Sequence, residues 1–267
     1  MQIYTIASGS GGNCTLVKDG DTAVLIDAGI STKRIVTALK ELDMFPEQLN
    51  GILITHEHGD HVYGLKTFIK HYEIPIFAPR TVANHLSWSI AGVDDYLTVL
   101  IPGQDYDISG LSVLPFHTPH DTPESVGYRL TGSGIFGFCT DFGHVTDEIL
   151  EGLRGVDAAV VEANHDLEML KNGPYPFHLK RRILSDNGHL SNDSCALLAK
   201  ELYKYGTRKF VLGHLSGENN LPSIARKSVL EVLYAEGINT EKELVLQVAP
   251  ENKILNLSVK DEPICLA

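Results

Sequence analysis

The chain has 267 residues, 43% hydrophobic and 21% charged, a composition that excludes disordered, collagen-like and disulfide-scaffold proteins and suits one large domain spanning 1–267. A net charge of −12 argues against a protein that coats nucleic acid through a broad basic field. The four cysteines (14, 139, 195 and 265) lack CxxC spacing, the N-terminus has no signal-peptide pattern and no apolar run reaches 18 residues, so reduced thiols, a cytoplasmic location and no membrane partner are expected.

Short Val/Ile/Leu-rich runs predict strands at 2–8, 14–18, 22–27, 51–55, 75–78, 98–101, 111–116, 126–130, 135–140, 158–163, 209–213, 244–248 and 253–258. Helical periodicity falls at about 31–43, 61–72, 80–88, 146–153, 166–171, 178–184, 192–206 and 222–237. Hairpin-like strands precede the first helix, and the mixture then repeats in a second half. That order fits two sheets covered by outer helices better than a doubly wound parallel sheet.

The strand at 51–55 runs into His56-Glu57-His58-Gly59-Asp60-His61. His56 and His58, two apart on extended chain, project to one side, while Asp60 and His61 come as the chain turns into a helix, so the pairs face different metal ions. With 12 His and 17 Asp in the chain, a chance H-x-H-x-D-H match has odds of about one in 700. Six residues cannot complete two sites, and the further ligands are expected at later strand ends. The candidates are His120, Asp141 and His214, each closing an apolar run. His117 competes with His120; the latter is favoured because it lies beyond the strand and beside Asp121, which would orient its ring.

With these residues in place the chain resembles the metallo-β-lactamase superfamily over nearly its whole length. The resemblance implies an αββα four-layer sandwich, an α/β fold, with two divalent metal ions: one held by His56, His58 and His120, the other by Asp60, His61 and His214, with Asp141 bridging. Asp27, in Leu25-Ile26-Asp27-Ala28-Gly29, is similar to the family's early aspartate that buttresses the site. Lactamases of the superfamily have Cys at the Asp141 position and its redox diiron members replace the second His with Glu; neither change is present. An all-N/O donor set with a bridging carboxylate suits zinc or manganese and hydrolysis. Cys139, two residues before Asp141, reads as a buried core thiol.

Paired cations supply a bridging hydroxide at neutral pH and clamp substrate oxygens, which suits phosphodiesters as well as thioesters and lactams. Glu162, in Glu162-Ala163-Asn164, and His189, in Gly188-His189-Leu190-Ser191-Asn192, resemble the Glu and His of the RNase Z branch. A carboxylate beside imidazole favours the protonated ring, which donates to the departing 3′ oxygen. The expected catalytic side chains are Asp60, Glu162 and His189, with His165 undecided. The small-residue loop carrying Ser10 and Asn13, together with Asn164, Ser191 and Asn192, is the expected substrate contact, the last two opening a helix whose free N–H groups attract phosphate. Residues 168–209 hold eight cations (Lys171, Lys180, Arg181, Arg182, Lys200, Lys204, Arg208, Lys209) against Glu168, Asp186, Asp193 and Glu201, a solvated helix face or a nucleic-acid track.

Together with Asn219-Asn220, these segments resemble the YycJ/WalJ (VicX) branch of the superfamily. That resemblance implies a 5′-to-3′ DNA exonuclease in a bacterial cytoplasm, with a nucleic-acid substrate and a homo-oligomer left open. The chain has no room for the β-CASP insertion of RNase J-type enzymes. The rival readings are an RNase Z-like endoribonuclease, a glyoxalase II-like thioester hydrolase and a silent metal-stabilised regulator.

Overall fold

The computed structural model describes residues 1–260. Cys265, one of the four thiols above, lies outside the described residues; Cys14, Cys139 and Cys195 are free and buried. The first half of the chain runs β1 (Gln2–Ala7), β2 (Cys14–Asp19), β3 (Thr22–Ile26), α1 (Thr32–Glu41), β4 (Gly51–Leu53), α2 (Gly59–Val62), α3 (Leu65–Phe68), β5 (Ile76–Pro79), α4 (Arg80–Ser89) and β6 (Leu97–Leu100). The second half runs β7 (Tyr106–Ile108), β8 (Leu111–His117), β9 (Val126–Thr131), β10 (Ile135–Cys139), α5 (Asp147–Leu153), β11 (Ala158–Glu162), α6 (Leu167–Asn172), α7 (Phe177–Ile183), α8 (Asn192–Lys204), β12 (Lys209–Gly213), α9 (Pro222–Ala235), β13 (Val245–Val248) and β14 (Leu255–Ser258).

These strands form two seven-stranded mixed sheets, ordered β14-β1-β2-β3-β4-β5-β6 and β13-β12-β11-β10-β9-β8-β7. Side-chain alternation explains the layering. Along β3, Ala23 and Leu25 pack under α1, α3 and α4, while Val24 and Ile26 face the second sheet. Along β12, Val211 enters the inter-sheet core, and Phe210 and Leu212 pack under α5, α8 and α9. Three apolar layers between four structural layers make the αββα sandwich that the sequence suggests. The final strand, β14, crosses back to pair antiparallel with β1, so the chain's last described strand completes its first sheet.

Two local expectations differ from what forms. The helix expected at 61–72 divides into α2 and α3 at Gly64, where a Cβ would lie 2.0 Å from the Ile30 carbonyl oxygen, so only glycine admits the loop after β3. The strand β7 is too short, at three residues, to show an alternation of its own; it forms by pairing with β8. Among the described residues no helix is long and apolar enough to cross a membrane.

Parallel pairing sets the functional edge. β3 and β4 run parallel in one sheet, and β10, β11 and β12 run parallel in the other. Asp27, His56, Asp141, Glu162 and His214 all stand at or just past the C-terminal ends of these strands, on one edge of the sandwich.

Candidate metal centre

Side chains from both sheets converge at this edge. His56, His58 and His120 bring ring nitrogens within 4.8 Å of one another, as do the donor atoms of Asp60, His61 and His214, and those of His56, His61 and Asp141. His120 Nε2 lies 3.3 Å from His58 Nδ1. Asp141 reaches into both groups, with Oδ1 4.0 Å from His120 Nε2 on one side and Oδ2 3.3 Å from His61 Nε2 on the other. His56 Nε2, Asp141 Oδ2 and His214 Nε2 are buried with no hydrogen-bond partner. Buried polar atoms are normally paired, so these orphans, turned toward one another, fit divalent cations. Asp27, Asp60, Asp141 and Glu162 also place four carboxylates in or beside the cage, a negative charge that such cations would balance.

The support around the cage explains its geometry. Asp27 is fully buried; its Oδ2 lies 2.8 Å from His61 Nδ1, and its Oδ1 accepts the Thr55 backbone N–H at 2.9 Å. The Thr55 hydroxyl donates to Asp27 Oδ2 at 2.9 Å and stands 3.0 Å from His56 Nδ1, so one Thr–Asp clamp sets two rings. The Asn13 amide donates to the Asp60 backbone oxygen at 3.4 Å and lies 3.1 Å from His61 Nε2, while its oxygen holds the Gly9 N–H. Asp27, Asp141 and His214 all have positive φ (61°, 61° and 55°), a conformation non-glycine residues adopt rarely and at a cost of order 1–3 kcal/mol each. The strand ends hold this strain where the side chains must turn inward.

Glu162 is more than a partner for His189. Its Oε1 is shared by His189 Nδ1 at 2.8 Å and His214 Nδ1 at 3.0 Å, and its Oε2 accepts the Phe142 and Leu190 N–H groups. Burial opposes ionisation, yet His189, His214 and these bonds hold the Glu162 carboxyl well below its ordinary range. Burial likewise lowers His189, but Glu162 and Asp141 outweigh it and raise the imidazole above its usual value. His61 is pulled down by burial and driven up to about 10 by Asp27 and Asp141, whereas burial with the neighbouring His61, His120 and His58 leaves His56 well below the ordinary range.

Other expected residues fall in three classes of position. Ser10, Asp60, Asn164 and His189 line a cleft of about 220 Å³ above the cage, with Tyr175, Leu179 and Arg182 opposite. Asn164 also donates to the His214 carbonyl at 3.0 Å. Ser191 caps α8, accepting the Ser194 N–H at 3.2 Å, and Asn192 is buried against Asn220 at 2.9 Å; neither lines the cleft. His117 is exposed and stands in none of the donor groups above, whereas His120 stands with His56 and His58. His165 is buried with both ring nitrogens unpartnered and does not line the cleft.

One supporting role differs from expectation. The His120 ring is held from behind by the Gly188 carbonyl, 3.2 Å from Nδ1, whereas Asp121 lies 3.3 Å from the forward Nε2 and is bound by Arg182. Cys139 is core as expected; burial, then Glu162 and Asp141, keep its thiol well above the usual range. Sequence reading missed Thr55 and Ser8, whose hydroxyl accepts the His214 N–H at 2.8 Å. A threonine directly before the first motif histidine was the available signal; Ser8 had none.

Comparison with known proteins gives the family. A family model described as a beta-lactamase superfamily domain matches residues 22–215. Exodeoxyribonuclease YycJ of Bacillus anthracis is 35% identical over 239 residues, 89% of this chain and 90% of that protein. Exodeoxyribonuclease WalJ of Streptococcus pneumoniae is 34% identical over 237 residues, 85% and 86% of the two chains. The metallo-beta-lactamase fold protein YhfI from Bacillus subtilis shares the fold with a TM-score of 0.71 at 16% identity, covering 96% of this chain and 98% of that one. On sequence match and fold together, the chain belongs to the metallo-β-lactamase superfamily and is a metal-dependent hydrolase.

Proposed function

We propose that this chain is a nuclease that hydrolyses phosphodiester bonds of DNA and removes nucleotides from the 5′ end, acting in the cytoplasm. The observation that carries the reading is His189 at the cleft wall, its Nδ1 on Glu162 and 3.5 Å from Asp141. Similarity to the two exodeoxyribonucleases over most of both chains supports it.

Two divalent ions, zinc or manganese, would be held by His56, His58 and His120 and by Asp60, His61 and His214, with Asp141 between them. When bound, they supply an activated water and neutralise charge on the phosphate. The chain's own groups do the rest. Burial opposes ionisation of Asp60, but hydrogen bonds and charge from His214 and His61 hold its carboxyl far below the usual range, so it stays an acceptor for the attacking water. His189, with Nδ1 committed to Glu162, has Nε2 to protonate the departing 3′ oxygen, and the Glu162 carboxylate beside it favours the protonated ring. Ser10 and Asn164 border the cleft where the substrate backbone lies.

The test is to incubate manganese-loaded protein with single- and double-stranded DNA and RNA, end-labelled at either terminus. The reading expects DNA labelled at its 5′ end to yield labelled mononucleotide at once and 3′-labelled DNA to shorten as a ladder. Internal cuts in RNA would favour the endoribonuclease reading. Hydrolysis of a glutathione thioester with no action on bis(p-nitrophenyl) phosphate or nucleic acid would overturn the phosphodiesterase assignment.

A further inference from the structure

The cleft over the cage continues beyond it. Ser10 and Asp60 line both the cleft and a neighbouring shelf of about 390 Å³, whose other borders include Gly59, Arg34 and Tyr63. Arg34 in turn borders an outer groove of about 630 Å³ that holds Lys33 and Lys253. Through these shared lining residues the three concavities adjoin in sequence, from Asp60 past Tyr63 and Arg34 to Lys253.

The track has features that a surface hollow need not have. Tyr63 is 72% exposed although only two residues from His61, and it borders a concave polar surface. At Gly59 a Cβ would meet nothing within 4 Å, so the shelf floor there is bare backbone facing open space. Lys33, Arg34 and Lys253 have no salt-bridge partner among the described residues; Arg34 Nη2 donates to the neutral Asn252 Oδ1 at 2.8 Å. In the denser basic stretch four of the eight cations are already paired with carboxylates: Lys171 with Glu168, Arg182 with Asp121, Lys200 with Glu236 and Lys204 with Glu201. Lys180 donates to the Lys171 and Gly173 carbonyls. A cation already neutralised by a carboxylate offers less to a phosphate than an unpaired one. Glu41 borders the outer groove and Glu251 approaches Gly11, so attraction along the track rests on individually placed donors and not on a broad positive field.

Resting on the nuclease reading, we propose that this track seats the single strand that stays bound after each cleavage, Tyr63 stacking on the base next to the scissile phosphate and Arg34 contacting the following phosphate. The chemistry is that of sequence-tolerant strand binding, an aromatic platform beside cations that follow the backbone.

The test measures affinity of metal-loaded protein for fluorescent single-stranded DNA of two to eight nucleotides, with phosphorothioate linkages to suppress cleavage. Tyr63→Ala is expected to weaken binding of the dinucleotide and of the octamer alike, by about tenfold, with recovery in Tyr63→Phe. Arg34→Ala is expected to weaken the octamer and to reduce the slope of log affinity against log salt by about 0.7, the value for one phosphate contact on a single strand. Unfolding midpoints and metal content confirm that each variant is folded and loaded. Wild-type affinity for the octamer with no change in either variant overturns the track while leaving the nuclease reading intact. No binding of any oligonucleotide by the wild type, and no cleavage of the unmodified DNA, overturns both.

Discussion

At the residue scale the cage divides into groups that would hold metal and groups that act beside it, and substitutions should separate them. His58→Ala or Asp60→Ala is expected to lose bound metal and abolish turnover, as read by metal analysis with a single-turnover assay. His189→Ala is expected to retain metal and slow cleavage by about 10²–10⁴-fold, the usual contribution of a positioned proton donor. Full activity in metal-depleted His58→Ala would contradict the assignment. Glu162→Gln should do both kinds of damage, because Glu162 Oε1 binds His214 as well as His189; metal affinity is expected to fall about 10–100-fold alongside the rate. The sequence displayed the reacting side chains because their order, H-x-H-x-D-H and then lone His or Asp residues after apolar runs, is visible in one dimension. It did not display their supports. The Gly188 carbonyl behind His120 has no side-chain signature, and the Ser191–Asn192 pair, which looked open to phosphate, is drawn into the core by Asn220.

At the scale of elements, the cage depends on two loops approaching more closely than side chains allow. The loop after β3 meets the motif loop at Gly29, where a Cβ would lie 1.6 Å from the Asp60 carbonyl oxygen, and the Asn13 N–H bonds that same oxygen at 2.8 Å. Gly29→Ala is therefore expected to displace Asp60, lowering stability by about 3 kcal/mol and metal affinity with it. Urea unfolding and metal titration check this, and an unaltered metal affinity would show that the loops yield elsewhere. Strand positions and the outer helices were legible because each element buries one alternating or helical face. The split of the expected 61–72 helix at Gly64 was not, since the opposing Ile30 carbonyl comes from a loop far away in sequence.

At the scale of the whole molecule, both sheets contribute side chains to one centre and share the core between them, and β14 returns to the first sheet. We propose that the two sheets unfold together as one domain, so one cooperative transition is expected, and two separated calorimetric transitions would argue for independent halves. Acid stability gives a second molecular prediction. Burial lowers His165 to about 4, with Glu162 and Asp166 opposing and His189 adding to the effect, so the ring is neutral when folded and protonates when unfolded below about 6.5. Its contribution is present above pH 6.5 and is lost as pH falls from there toward 4, because the unfolded chain binds the extra proton. His165→Leu is expected to lose less stability between pH 7 and pH 5 than the wild type, as read by urea midpoints; parallel curves would contradict this.

The central claim is that residues from four strand ends enclose a pair of cations. Anomalous diffraction from crystals grown with zinc or manganese addresses it directly. The account predicts two peaks per chain about 3.5–4 Å apart, with Asp141 between them and His120 and His214 on opposite sides. A single peak, or peaks away from Asp141, would contradict it.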